Sequence, residues 1–290
     1  KEKSKSKKSK KDKKDKSHSS SKKKSVKKDN EGYEDLGSHD LEDYAEANGI
    51  SETEDMHPLQ SRLLAQDSFI KMTYTSTAME GVMSQVVISV SFSNLTAQTI
   101  SNIKMNLPDS KVIKMIRTDP GSDTVVLPWN LIGGASQEGQ FAFTADDVTI
   151  PHKLRGTLTY SLEDGSSKDL SIRLEFPVTM FLSGKTASRA TFTDLLSSGQ
   201  LTSRSSFTIT ECSQGFSEIL KLLISDNVLA VVERVDQTAS LYARSLHGHH
   251  ICLLVKYQEP GRLTVDGKGT DGTLLSNLLD QSKTSLSQTQ

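Results

Sequence analysis

The first 58 residues of this chain cannot build a core. Lys1 to Lys28 holds fifteen lysines against three carboxylates, and Asp29 to Asp55 holds eleven acidic residues with no Lys or Arg. Apolar residues are sparse before Leu59. Such a stretch buries too little apolar surface to offset the entropy of ordering it. We therefore expect residues 1–58 to be a disordered tether, a Lys-rich block followed by an acidic one. The overall net charge of −1 hides this division because the two blocks nearly cancel. A long tether beginning at Lys1 rather than Met is what a fragment of a larger protein leads us to expect.

The remaining stretch, about 230 residues, is long enough for one large or two modest domains. Only two cysteines occur, Cys212 and Cys252. With no secretory signal region, the expectation is a reducing, cytosolic compartment. The sequon Asn94-Leu95-Thr96 then receives no glycan. No apolar run reaches the roughly 18 to 20 residues that span a bilayer.

The tether itself suits anionic partners. Its lysines fit an anionic lipid surface, and the neighbouring acidic block either is repelled or folds back on them. Nucleic-acid readout is disfavoured, since the basic block has no arginine for bidentate contacts and no aromatic for stacking. The plainest reading is a solvated linker. Ser51 and Thr53 lie in Ser51-Glu52-Thr53-Glu54-Asp55 and are the phosphorylation candidates, each phosphate adding about −1.5 to −2 charges.

From Ser84 to Phe176 the hydrophobic period is two. Val86, Ile88, Val90 and Phe92 alternate with polar residues, the signature of a half-buried strand. Further runs centre on Met105, Val112–Ile116, Val125, Phe143, Tyr160 and Ile172, with Asp164-Gly165 as a hairpin connection. Seven or eight short strands in about 100 residues predict an immunoglobulin-like antiparallel β-sandwich over 59–177. Trp129, the only tryptophan, reads as a core or edge plug, with an exposed peptide anchor as the alternative.

After Phe176 the pattern changes. A strand is expected at Val178–Leu182, then a short helix introduced by Thr191-x-x-Asp194 and ended by Gly199. Phe216, Ile219, Leu220, Leu223 and Ile224 fall on one face of a helix. Four strands follow between Val228 and Val265, then a helix carrying Leu274, Leu275, Leu278 and Leu279. This is an α+β platform over 178–282. The polar tail, 283–290, is expected to fray.

The motifs of chemistry fail on context. Gly267-Lys268-Gly269-Thr270-Asp271-Gly272 spells a dinucleotide fingerprint, but too little chain follows to return a strand, so it reads as a glycine-rich turn. His247-Gly248-His249-His250 near Cys252 reads as a hairpin connection rather than a zinc ligand set. Gly134 to Gly139 is one residue off a nucleophile elbow and sits in a sandwich loop. We expect no enzyme activity, no cofactor and no metal.

A charged hinge, a sandwich and an α+β platform, in that order, resemble the appendage, or ear, of the large adaptin subunits of vesicle-coat adaptors. Leu41-Glu42-Asp43-Tyr44-Ala45-Glu46 and Leu63-Leu64-Ala65-Gln66-Asp67, behind the Lys-Ser block, are most similar to the delta-type large subunits of adaptor protein complex three. The resemblance covers essentially the whole chain. It implies a subunit of a heterotetrameric adaptor complex that recruits accessory proteins on the cytosolic face of Golgi and endosomal membranes, for delivery to lysosomes and related organelles. The chain departs from endocytic relatives, whose platform pocket is built around a tryptophan, because no Trp follows Trp129. Peptide-binding candidates are instead Tyr242, Arg244, Lys256 and Tyr257 on the platform, and Lys104, Lys111, Lys114 and Arg117 on the sandwich; the bland alternative for both sets is solvent-facing strand residues. The competing function is structural or autoregulatory, with the ear packing on its own complex and the tether touching membrane or partner.

Overall fold

The structure is a computed structural model, and it describes residues 61–79, 85–119, 121–258 and 260–288. The tether and its phosphorylation candidates Ser51 and Thr53 lie outside the described residues. Nine strands build the first layer pair: β1 (Arg62–Gln66), β2 (Ile70–Ala78), β3 (Gln85–Asn94), β4 (Ser101–Asn106), β5 (Ile113–Met115), β6 (Thr124–Val126), β7 (Ser136–Ala145), β8 (His152–Ser161) and β9 (Ser167–Phe176). One sheet runs β1-β2-β3-β7-β5 and the other β6-β4-β8-β9. All pairings are antiparallel. The period-two residues do what alternation requires: Val86, Ile88, Val90 and Phe92 of β3 are buried between the sheets, with Phe143, Leu158, Tyr160 and Ile172. The sandwich is the one expected, and its strands begin ahead of the alternation read from Ser84. Strands β1 and β2 carry their own alternation, Ile70, Met72 and Tyr74 pointing inward.

One polar contact ties the beginning of the sandwich to its middle. The Tyr160 hydroxyl donates to Asp67 Oδ2 at 2.6 Å. Asp67 Oδ1 meanwhile accepts the amides of Phe69 and Ile70 at 2.8 and 2.9 Å in the β1–β2 turn. Burial pushes the Asp67 carboxyl up, but these three bonds outweigh it and hold the group below its ordinary 3.8.

Between the sandwich and the next sheet, the strand expected at Val178–Leu182 is instead a 3₁₀ turn, Val178–Phe181, followed by a two-residue strand β10 (Leu182–Ser183). The reason is packing. Val178 and Leu182 enter the platform core, whereas Met180 and Phe181 enter the sandwich core. An extended strand places alternate side chains on two opposite faces; adjacent Met180 and Phe181 on one side call for a tighter coil. Helix α1 (Arg189–Ser197) is capped by Ser188, whose Oγ accepts the Thr191 amide, so the cap sits three residues before the expected one. Strand β11 (Ser203–Ile209), helix α2 (Phe216–Asn227), the strands β12 (Ala230–Val235), β13 (Thr238–Ser245), β14 (His250–Gln258) and β15 (Arg262–Gly269), and helix α3 (Gly272–Gln288) complete the chain. The platform sheet runs β10-β13-β14-β15-β11, with β12 also paired to β13, and every pair is antiparallel.

Two readings of the platform are corrected. Gly267 and Gly269 lie in β15, not in a turn. A Cβ at Gly267 would come to 2.8 Å of Leu275 and 3.0 Å of Leu253, so glycine there lets α3 lie close on the sheet. The tail does not fray at Lys283, since α3 runs to Gln288. Its anchor is Leu286, 1% exposed and part of the core with Leu275, Leu278 and Leu279. The junction is sealed by the Asn277 amide, which donates to the Thr149 carbonyl at 2.9 Å, and by Leu246, which packs on the sandwich core.

Truncating Leu286 to Ala should cost about 2–4 kcal/mol in urea denaturation, where a frayed tail predicts no loss. Tyr160→Phe should cost about 1–2 kcal/mol at neutral pH, as for a hydrogen bond to a charged acceptor. A carboxylate with a lowered folded pKa stabilises above its unfolded value and loses that contribution as pH falls through the folded one. The gap between the two proteins should therefore shrink below about pH 3.8.

Candidate functional site

The platform sheet has two faces of different character. Ala239, Leu241 and Ala243 of β13, Ile251, Leu253 and Val255 of β14, and Leu263 and Val265 of β15 point to α2 and α3, where they meet Ile219, Leu223, Leu275 and Leu278. The alternate positions face the other way. There, α1 covers one end only, its Phe192 and Leu195 packing on Tyr242 and Cys252. Beyond α1 the register aligns Ser240, Leu254, Asp266 and Ser206 in one cross-strand row, and Cys252, Lys268 and Arg204 in the row beside it. These two rows and the helix flank enclose a groove of about 550 Å³. Its apolar wall is Phe192, Leu196 and Leu254, with Leu196 40% exposed.

The charges around the groove are mostly positive. Arg204 and Lys268 are register partners on neighbouring strands and line it together. Lys256 stands one row further along the same face, 3.8 Å from Asp266, the acidic group of the lining. Chemically, this is an apolar slot with basic groups at one side. Its size and charge suit an apolar or aromatic side chain beside a carboxylate. Cys252 lies under α1 with its thiol pushed up to about 11 by burial, which favours the protonated thiol at neutral pH. Among the described residues, no three His, Cys, Asp or Glu side chains are placed to hold a metal ion. No described helix is long and apolar enough to cross a membrane.

The sequence-derived platform residues separate in space. Tyr242 is buried beneath α1, and its hydroxyl meets His250 Nδ1 at 2.7 Å. Arg244 is exposed on the same strand, registered with His250 and close to Gly248 at the hairpin tip. Lys256 is at the groove. Tyr257 is on the opposite face, its ring 6.3 Å from that of Phe216. The sandwich residues also scatter. Lys104 is exposed on β4, in one sheet, and Lys114 is on β5, in the other, bonded to Asp146 at 2.9 Å. Lys111 is exposed before β5. Arg117 is 5% exposed, bound to Asp109 at 2.7 Å and to the Met115 carbonyl. The sequence reading missed Phe192, Leu196, Arg204, Leu254 and Lys268. The alternation of β11 places Arg204 outward, but only strand pairing brings it beside Lys268, and pairing is not local.

Against known proteins, residues 179–287 match the family of the AP3 Mu C-terminal domain. The AP-3 complex subunit delta-1 of Bos taurus is 39% identical over 245 residues, which is 82% of this chain and 20% of that protein. This chain is a relative of the delta subunit of adaptor protein complex three. It spans about a fifth of the length of that relative. Among solved structures, the GAE domain of yeast GGA1 aligns with 41% of this chain and 100% of its own, at 19% identity and a TM-score of 0.33. The GAE domain of GGA2p from Saccharomyces cerevisiae aligns with 41% and 98%, at 20% identity and a TM-score of 0.31. The fold assignment of this delta-adaptin relative rests on its own sheet order.

Beneath α1, beside the groove, Tyr242 is paired with one imidazole. Burial first, then Arg244 and His249, hold His250 below its ordinary 6.5, and burial raises the Tyr242 phenol. The neutral ring shares a hydrogen bond with the Tyr242 hydroxyl, its direction set by the tautomer. An NMR titration should find His250 with a midpoint below 6.5, and Arg244→Ala should move it upward. A lowered histidine favours the folded state above its unfolded value and opposes it as pH falls through 6.5. The protection of α1 amides, corrected for the intrinsic pH dependence of exchange, should therefore fall below about pH 6.5.

Proposed function

We propose that this chain is the hinge and appendage of a vesicle-coat adaptor subunit, acting without catalysis. It recruits accessory or regulatory proteins while cargo is sorted from Golgi and endosomes to lysosomes and related organelles. The observation that carries the reading is the 39% identity to AP-3 complex subunit delta-1 across 82% of the chain. In this reading the molecule works peripherally on the cytosolic face of those membranes, beside the other subunits of its complex, and its Lys-rich tether adds contact with anionic lipid.

The groove between α1 and β11 is the recruiting site in this proposal. Its ligand is a short acidic peptide with one aromatic or large apolar side chain. The apolar side chain enters between Phe192, Leu196 and Leu254, and its carboxylates meet Arg204 and Lys268. A single contact of this kind is weak, and many appendages crowded on one coat gain by effective concentration. The aromatic part is supplied by the peptide, which suits a platform with no tryptophan of its own.

A fluorescent dodecapeptide with a central phenylalanine flanked by glutamates provides the test. Charge reversal by Arg204→Glu with Lys268→Glu should weaken its binding at least about tenfold, roughly 1.4 kcal/mol, with an unchanged melting curve. Equal binding by the wild type and the double variant contradicts the assigned site.

A further inference from the structure

The platform groove opens onto a bare strand edge. Strand β11 ends the platform sheet, and its residues pair one for one with β15, from Ser203↔Gly269 to Ile209↔Leu263. On its other side β11 has no strand partner among the described residues. No turn, loop or cap hydrogen bond among the described residues uses a main-chain group of 203–209. In an antiparallel edge strand, half of the N–H and C=O groups point away from the partner strand. Natural sheets blunt such an edge with proline, a bulge or charge. Strand β11 has no proline and no break in register, and its one charged residue is Arg204. At the opposite edge, β12 has a register shift between Val231 and Glu233 and carries both Glu233 and Arg234.

The edge is continuous with the groove. The groove lining runs from Ser240 of β13 to Arg204, Ser205 and Ser206 of β11, so its outer end lies here. The two sides of β11 also differ. Arg204, Ser206 and Thr208 are exposed on the groove face, whereas Phe207 and Ile209 are half-buried on the helix side, against the platform core. Arg204 makes no ion pair among the described residues. A strand added beside β11 carries alternate side chains past Arg204 and Ser206, and the others past Phe207 and Ile209. That disposition suits acidic residues at one parity and apolar residues at the other.

We propose that the partner segment held by the groove continues along β11 as an added strand of the platform sheet. The inference rests on the assignment of the groove as the recruiting site. The apolar anchor sits between Phe192, Leu196 and Leu254, and the chain beyond it leaves past Arg204 and pairs with 203–209. Main-chain pairing supplies affinity, and the alternate side chains supply selectivity. The partner is thus an acidic-aromatic motif joined to a strand of about five residues, apolar and acidic in turn, rather than a motif complete in a single turn or helix. Charge favours this occupant over a second copy of the chain. Pairing two β11 edges brings a second Arg204 and Lys268 to the same sheet, whereas an acidic segment offsets the first pair.

The test uses the whole chain and three peptides: the glutamate-flanked phenylalanine dodecapeptide, the same peptide extended by Val-Glu-Val-Glu-Val, and the extended form with every extension amide N-methylated. The extension should tighten binding at least about tenfold and slow amide exchange within 203–209. N-methylation, which removes strand pairing, should cancel both effects. Thr208→Glu changes an exposed residue outside the groove lining. It should remove the gain from the extension and leave binding of the unextended dodecapeptide unchanged. A dodecapeptide that binds with no gain from the extension, or an equal gain from the N-methylated form, overturns the inference and leaves the groove assignment standing. A dodecapeptide that does not bind overturns the groove assignment and the inference with it. Exchange in 203–209 that slows with rising protein concentration, without peptide, gives the edge to a second copy and also overturns the inference.

Discussion

The short turn from Val178 to Phe181 is the constraint on which the rest of this molecule depends. Its side chains are all buried, yet they serve two cores: Val178 the platform, Met180 and Phe181 the sandwich. Phe181 stacks on Phe176, the last residue of β9, with planes 8° apart, and its carbonyl accepts the amide of Leu246 from the β13–β14 turn. A linker between independent domains is exposed and polar. Here the connection is itself core, so sandwich and platform cannot reorient without opening apolar surface. The tight coil of Val178–Phe181 follows from that double duty.

The rigid junction decides what surface is left for partners. Helices α2 and α3 cover one face of the platform sheet, and α3 continues across to Thr149 of the sandwich. Among the described residues only α1 lies on the other face, and it is nine residues long. It roofs Tyr242 and Cys252 and leaves the neighbouring rows bare. A sheet face half covered by a short amphipathic helix is a slot with a greasy wall and a polar floor. The basic pair Arg204–Lys268 then gives it a sign.

Much of this was legible in the residues. The alternation from Val86 to Phe92 and the helical spacing from Phe216 to Ile224 fixed period and face, because each pattern is local. The 3₁₀ turn was not legible. Val178, Met180 and Leu182 read as strand when taken alone, and only the presence of two cores changes their geometry. Gly267 and Gly269 were similarly ambiguous. A glycine in a turn and a glycine beneath a helix look alike until Leu275 is seen to lie on it. For the candidate site, the sequence offered basic and aromatic residues singly, and their spatial partnership was out of its reach. Tyr257 and Lys256 are adjacent, so in a strand they face opposite ways, and Arg117 is spent on Asp109. Arg204 and Lys268 meet only across a β11–β15 ladder that no local window contains.

Chemical-shift mapping of the isotopically labelled chain, titrated with the phenylalanine-containing acidic peptide, tests the central claim most directly. The account predicts shifts gathered on α1 around Phe192 and Leu196 and on the facing residues Arg204, Leu254 and Lys268, with α2 and α3 quiet. Shifts absent at millimolar peptide, or confined to surfaces away from that groove, would contradict it.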